Sequence, residues 1–166
     1  GVVVEYIARP AGGRGKTADI GEQMKDWTVT QMLDHFEKTA FQDSLSRMRK
    51  DKAVADKYGV KLIAYEGGQH MVAFVKDQEL VGKISKTMHA CNRHPRMGEM
   101  YRRYYDEWAR IGGDMFAVFS SIGSFSNHGA WGLAEFYDSK PADYPKLAAT
   151  LETAKKWGQP VEFENK

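Results

Sequence analysis

The chain has 166 residues and a formal net charge of +2 at pH 7, and 42% of its residues are hydrophobic while 28% are charged. This composition is typical of one globular domain, here residues 1–166, and it excludes a disordered or fibrous protein. The basic residues are scattered and no apolar run approaches the ~18 residues of a membrane span, so neither nucleic acid nor a membrane is an expected partner.

The first predicted elements are a strand and a glycine-rich loop. Residues 1–8 are mostly β-branched and apolar, which predicts a strand, and residues 9–21 are rich in glycine, which predicts a loop. The loop contains the letters AGGRGKT, but its glycines lack the spacing of a phosphate-binding loop. We therefore do not predict nucleotide binding.

Two helices and a second strand follow. Asp26 or Thr28 can cap the first helix, whose apolar residues share one face. These are Val29, Leu33 and Phe36. After a break near Thr39, a second helical stripe runs to Gly59, which suits the left-handed position beyond a helix end. Residues 60–65 then predict a second strand.

The second half of the chain alternates helices with one strand. Residues 77–89 are amphipathic, and a further helix begins at Pro95, its aromatic residues predicted to pack in the core. Residues 115–122 predict a third strand, and residues 133–137 a short extended piece after a polar loop. The last helix spans residues 143–157.

The alternation of strands and helices predicts an α/β fold with parallel strands joined by right-handed helical crossovers. Three strands make a small sheet for 166 residues, and parallel strands need cover on both faces. We therefore expect either unusually generous helices or a sheet that continues elsewhere.

Glu66 is the strongest candidate for chemistry. It follows the second predicted strand in the stretch KLIAYEGGQH, and reactive groups of α/β proteins lie where strands end. A rigid strand end fixes the carboxylate, and the two glycines after it let a ligand approach the backbone. The alternative is a glutamate in a solvent-facing turn.

Metal and cysteine chemistry have weaker support. Four histidines could join Glu66 as metal ligands, but no pair has the tight spacing of an H-E-x-x-H motif. They are His70, His89, His94 and His128. We therefore predict neither a metal nor another cofactor. Cys91 could pair with a histidine as a nucleophile, yet its place on a helical stripe predicts burial.

The stretch from KLIAYEGGQH to YDSKPADYPK resembles the C-terminal part of clan A (β/α)8-barrel glycoside hydrolases, in a group of secreted polysaccharide hydrolases. Residues 61–70 look like strand seven, with Glu66 in the nucleophile position. Residues 92–138 look like helix seven, strand eight and a loop whose Trp131 contacts sugar. Residues 1–10 resemble strand six, with Tyr6 near the site.

The resemblance implies retaining hydrolysis of an oligo- or polysaccharide outside the cytoplasm, in the extracellular space or periplasm. Glu66 would attack the anomeric carbon while a second carboxylate about 5–5.5 Å away protonates the leaving oxygen. The implied substrate contacts are Tyr65, Gln69, His70, Trp131 and Tyr6. The aromatic share of 12% suits stacking on sugar rings.

The chain departs from this family in lacking strand four, whose glutamate is the acid/base. A complete barrel takes about 250 residues, so we expect the last three βα units of an incomplete barrel, inactive alone and partnered by the missing N-terminal part. Glu135 is the only carboxylate in the strand-eight loop region and is therefore the candidate acid within this chain. Its position, however, is explained by the alternation of residues in a short extended piece and not by the site. A non-catalytic carbohydrate-binding module, or an α/β domain with no sugar role, are the alternatives.

Overall fold

The structure is a computed structural model that describes residues 23–73, 75 and 77–161, together with the backbone of the strand Val2–Tyr6. Its elements in chain order are β1 (Val2–Tyr6), α1 (Val29–Lys38), α2 (Ala40–Lys57), β2 (Ile63–Gly68), α3 (Gln78–Arg93), α4 (Pro95–Arg110), β3 (Phe116–Val118), a 3-10 turn (Pro141–Asp143) and α5 (Pro145–Lys156). The strands form one parallel sheet in the order β1-β2-β3, so the predicted α/β class is confirmed.

The five predicted helices are present, but some of their ends differ: α3 continues to Arg93, beyond residue 89, and α5 begins at Pro145 instead of residue 143. Thr28 is the cap of α1: its hydroxyl accepts from the Gln31 N–H at 3.2 Å, and its own N–H donates to Gln31 Oε1 at 2.9 Å. The chain breaks at Thr39 before α2, and Gly59 takes a φ of 62° after α2 ends. Within the described residues, no helix is both long and apolar enough to cross a bilayer.

Helix α4 packs against the sheet through the side chains on its inner face. Five side chains predicted for its inner face are buried: Met97, Met100, Tyr101, Tyr104 and Trp108. Ile111, also predicted there, is only partly buried, and Tyr105, which was not predicted, is buried as well. The ring of Phe116 in β3 meets three of these aromatics edge-on, with centroids 5.4 to 5.6 Å apart. Such edge-to-face pairs add to the free energy of apolar burial, so this contact anchors β3 to α4.

The predicted bounds of the second strand, residues 60–65, are wrong at both ends. Val60 donates its N–H to Ala55 O at 3.0 Å and so closes the end of α2 rather than joining the sheet. The strand then continues through both glycines, because Gly67 pairs with Val118 and Gly68 with Tyr6. Glu66 therefore lies within β2, two residues before its end.

The third strand is also shorter than predicted, Phe116–Val118 instead of residues 115–122. The Phe119 N–H still donates to Gly67 O at 2.9 Å, but the next two carbonyls turn away from β2. They accept from Leu133 and Ala134, so the predicted piece at residues 133–137 reduces to one parallel bridge. The first strand, predicted over residues 1–8, is described over Val2–Tyr6. The loop predicted at residues 9–21 lies outside the described residues.

A register shift in β2 places one extra residue beside Glu66. Along β1, Val3 pairs with Ala64 and Val4 with Glu66, so Tyr65 has no partner of its own in that ladder. Towards β3, Ala64 pairs with Phe116 and Gly67 with Val118, so one residue of β3 lies opposite two residues of β2. A β-bulge of this kind re-aims side chains, and such bulges are over-represented beside active sites.

Gly67 is the position on which this register depends, and its replacement gives a direct test. A Cβ at residue 67 would lie 2.2 Å from the Phe116 ring, so Gly67→Ala should destabilise the fold by about 1–3 kcal/mol through overpacking. Urea unfolding followed by circular dichroism measures the change. Gly82→Ala, within α3, is the matched control. A Cβ at residue 82 meets no atom closer than 3.9 Å, so this variant should stabilise the fold by ~0.5–1 kcal/mol. Equal stabilities for the two variants would contradict the packing described.

Candidate functional site

Glu66 is half-buried on the bulged part of β2, between two residues that face the interior. Ala64 is fully buried, and Gly67 is buried against the Phe116 ring. Tyr65, by contrast, is 53% exposed beside Glu66. The bulge thus inserts a phenol and a carboxylate between two inward positions, and it gives this part of the strand a polar, accessible surface near the end of the sheet.

The loop after β3 brings an indole to the same strand end. Trp131 is half-buried, and its Nε1–H donates to His70 Nδ1 at 3.2 Å. The two rings lie 5.7 Å apart, and Phe119 contacts the indole from another side at 6.3 Å. Since His70 Nδ1 accepts this bond, the neutral imidazole carries its proton on Nε2. The structure therefore joins two of the predicted site residues, His70 and Trp131.

Gln69 lies inside the protein, where both ends of its amide hold backbone groups. It is 1% exposed; Nε2 donates to Ala130 O at 2.5 Å, and Oε1 accepts from the Met71 N–H at 2.8 Å. Its own N–H donates to the buried Tyr101 hydroxyl at 3.0 Å. These bonds make Gln69 a link between β2 and the Trp131 loop. The Tyr6 side chain lies outside the described residues.

Glu135 is fully occupied by a cluster of its own. Its carboxylate pairs with Arg93 and accepts from the Tyr144 hydroxyl at 3.2 Å and the Phe125 N–H at 3.3 Å. The residue is 9% exposed. A carboxylate engaged by three donors suits an anchor for the loop rather than a proton donor to a sugar.

The histidines have separate structural contacts in the described part of the chain. His89 Nε2 bonds Ser126 O at 3.0 Å, His94 caps α4 through Nδ1, and His128 is exposed. Over the described residues, no three His, Cys, Asp or Glu side chains come together as a metal site would require.

Lys146 is a residue of this region that the sequence interpretation missed. It is fully buried in the first turn of α5, and its Nζ donates to Ala130 O at 3.0 Å, the same carbonyl that Gln69 binds. A lysine in the first turn of a helix is typical of a solvated surface, so the sequence carries no local signal of this contact.

Comparison with known proteins does not place the chain in a family: no family model, no curated protein sequence and no solved structure matches it.

Cys91 is a buried thiol that lies at 0% exposure with its Sγ 3.8 Å from Val29 O. Burial raises the pKa of the Cys91 thiol to about 12, so almost no thiolate forms near neutral pH. We expect iodoacetamide to modify native Cys91 at least ~100-fold more slowly than the urea-unfolded chain. Mass spectrometry over time measures both rates. Rapid native labelling would restore Cys91 as a candidate nucleophile.

Proposed function

We propose that this chain carries the nucleophile of a retaining glycoside hydrolase acting on an oligo- or polysaccharide. One observation supports this best: Glu66 stands on a bulged strand beside the exposed Tyr65, near a strand end where His70 and Trp131 form a fixed pair. A half-buried carboxylate, a hydrogen-bonding imidazole and an indole are the groups that recognition and cleavage of a sugar need.

Each group has a chemical part in this proposal. The Glu66 carboxylate attacks the anomeric carbon and forms a covalent glycosyl-enzyme, which water then hydrolyses. The indole of Trp131 stacks on the apolar face of a sugar ring, and His70 holds the indole by accepting its Nε1–H. Tyr65 contributes a further hydroxyl next to the nucleophile. We propose that Gln69 keeps the loop rigid, because both ends of its side-chain amide are hydrogen-bonded to backbone groups inside the protein.

The acid/base carboxylate belongs to a completing part of the barrel, which is the partner we propose. The arrangement of β3 supports a sheet that continues beyond it. Met115 O and the Phe119 N–H form hydrogen bonds with β2. Because successive residues of a parallel strand bond to opposite neighbours, Phe116 and Val118 direct their backbone groups to the far edge of β3. No strand of the described residues occupies that edge.

A groove beside this edge also suits a further strand. A cavity of about 380 Å³ separates β3 from α5, and one face of α5 lines it with small or flat side chains. They are Thr150, Thr153, Ala154 and Trp157. In α/β proteins a helix covers neighbouring strands, and α5 has room beneath it for one more. The extracellular or periplasmic setting stays part of the proposal through the resemblance alone.

Glu66→Gln in the full polypeptide that carries this sequence tests the catalytic proposal. The amide cannot form the glycosyl ester, so hydrolysis of a chromogenic oligosaccharide should fall by roughly three orders of magnitude or more. The matched control is Glu79→Gln, which alters an exposed glutamate in the first turn of α3 and should leave the rate unchanged. Near-normal hydrolysis by Glu66→Gln would remove the assignment.

A carbohydrate-binding module without catalysis is the second candidate. The observation that favours it is the engagement of Glu135 by Arg93 and Tyr144, because a carboxylate held in this way is unsuited to protonate a leaving oxygen. In a module, Tyr65 and Trp131 would bind sugar while Glu66 would only accept hydrogen bonds. Sugar binding that survives Glu66→Gln, in a protein that hydrolyses no glycoside, would favour this function.

A further inference from the structure

Lys146 occupies an unusual position for a lysine. Its side chain is 0% exposed, and within the described residues no carboxylate forms an ion pair with it. Nζ lies 5.0 Å from the centroid of the Phe125 ring, and Arg93 lies over the same ring at 4.9 Å. Burying an amine without an acid costs free energy, so the contact that Lys146 makes must serve another need.

The surroundings of Lys146 favour its neutral form. Burial, and then the charge of Arg93, lower the pKa of Lys146 well below its usual value. Its place in the first turn of α5 acts in the same direction, because the positive end of the helix dipole disfavours a cation there. A neutral amine still donates an N–H, and Lys146 donates to Ala130 O.

The Ala130 carbonyl is the point where two parts of the fold meet. Gln69 binds it from the end of β2 and Lys146 binds it from α5, so both lone pairs of this oxygen are used. The carbonyl belongs to the peptide group that leads into Trp131. Two donors from separate elements therefore fix the plane of that peptide group, and with it the direction in which the indole leaves the backbone.

The indole has little freedom once its backbone is fixed. Gly129 lies so close beneath the ring that a Cβ there would be 2.3 Å from the indole, and its φ is 153°. The Nε1–H is held by His70. A rotation of the peptide group before Trp131 would break this bond and drive the ring against its neighbours.

We propose that Lys146 is a positioning residue: through the Ala130 carbonyl it orients the Trp131 indole for stacking on a sugar ring. The orientation itself is a property of the chain alone, whereas its use in sugar binding rests on the function proposed above. Lys146 does not touch the sugar. Its loss should weaken oligosaccharide binding to about the degree that loss of the indole does, and the two losses should not add.

Indole NMR resonances test the orientation without any sugar. The chain has four tryptophans, so four Nε1–H peaks are expected, and Trp131→Phe identifies the one from Trp131. Lys146→Met keeps the length and apolar stem of the side chain but removes the donor. We expect the Trp131 peak to shift or broaden while the peak of the buried Trp108 stays in place. An unmoved Trp131 peak in this variant would overturn the proposal.

Two further variants separate positioning from simple stability. Lys156→Met, also on α5, removes an exposed lysine paired with Asp106 and should leave the Trp131 peak unchanged. Lys146→Gln keeps an uncharged N–H donor on a shorter stem, so it should move the peak less than Lys146→Met and serves if that variant does not fold. A Trp131 peak that Lys146→Gln displaces at least as far as Lys146→Met does, or that Lys146→Leu leaves in place where Lys146→Met does not fold, would contradict the proposal.

A binding measurement links the orientation to function. Isothermal titration with xylohexaose, cellohexaose and chitohexaose gives the affinity of the unaltered protein and of each variant. If the indole moves in Lys146→Met and none of these sugars binds any form, the positioning role stands and the sugar function fails. If the sugar binds equally to the unaltered protein and Lys146→Met, the consequence proposed for Trp131 is wrong.

Discussion

The aromatic ring of Phe116 occupies the space where a side chain of residue 67 would be, and the candidate site depends on this contact. The ring packs edge-on against Tyr104, Tyr105 and Trp108, so β3 is anchored to α4 and Gly67 must fit beneath it. With Gly67 and Ala64 both held inward, the two residues between them are turned to other directions. One of these is Glu66, so packing in the core determines how the carboxylate is presented.

The second part of the site is held by hydrogen bonds rather than by packing alone. The loop after β3 is tied at Ala130 by Gln69 and Lys146, and at Ser126 by His89. Each tie joins a side chain from another part of the fold to a backbone carbonyl of the loop. Buried polar groups need partners, so these carbonyls and their donors stabilise one another in a single arrangement. A loop restrained in this way can carry a binding indole at little entropic cost.

The sequence predicted the helices well because their signals are local. Apolar spacing, the Thr28 cap and Gly59 depend on residues within one or two turns of the chain. The strand ends were less predictable: Gly67 and Gly68 suggested a turn, but both pair as strand, and at Gly67 the missing side chain leaves room for the ring of a residue 49 positions later. The bulge at Tyr65 likewise depends on the partner strands.

The residues of the candidate site differ in the same way: some have a signal in the sequence, and others depend on contacts between distant parts of the chain. Glu66 was predicted from its place at a strand end, His70 and Trp131 were predicted as substrate contacts through the family resemblance, and the structure brings His70 and Trp131 into contact. Their catalytic and binding roles stay predictions. Gln69 was predicted as a substrate contact and Lys146 was not predicted at all, whereas both side chains are buried and bind a single carbonyl that is distant from Gln69 along the chain. Such convergence has no local pattern from which it could be predicted.

The most direct measurement of the central claim is covalent trapping of the full polypeptide with 2-fluoro glycosides. Fluorine at the 2-position slows hydrolysis of a glycosyl-enzyme, so an attacked carboxylate keeps the sugar and gains its mass. We expect one sugar per chain, located by peptide mapping on Glu66 and absent from Glu66→Gln. Attachment to a different carboxylate, or reversible sugar binding with no adduct on any form, would contradict Glu66 as the nucleophile.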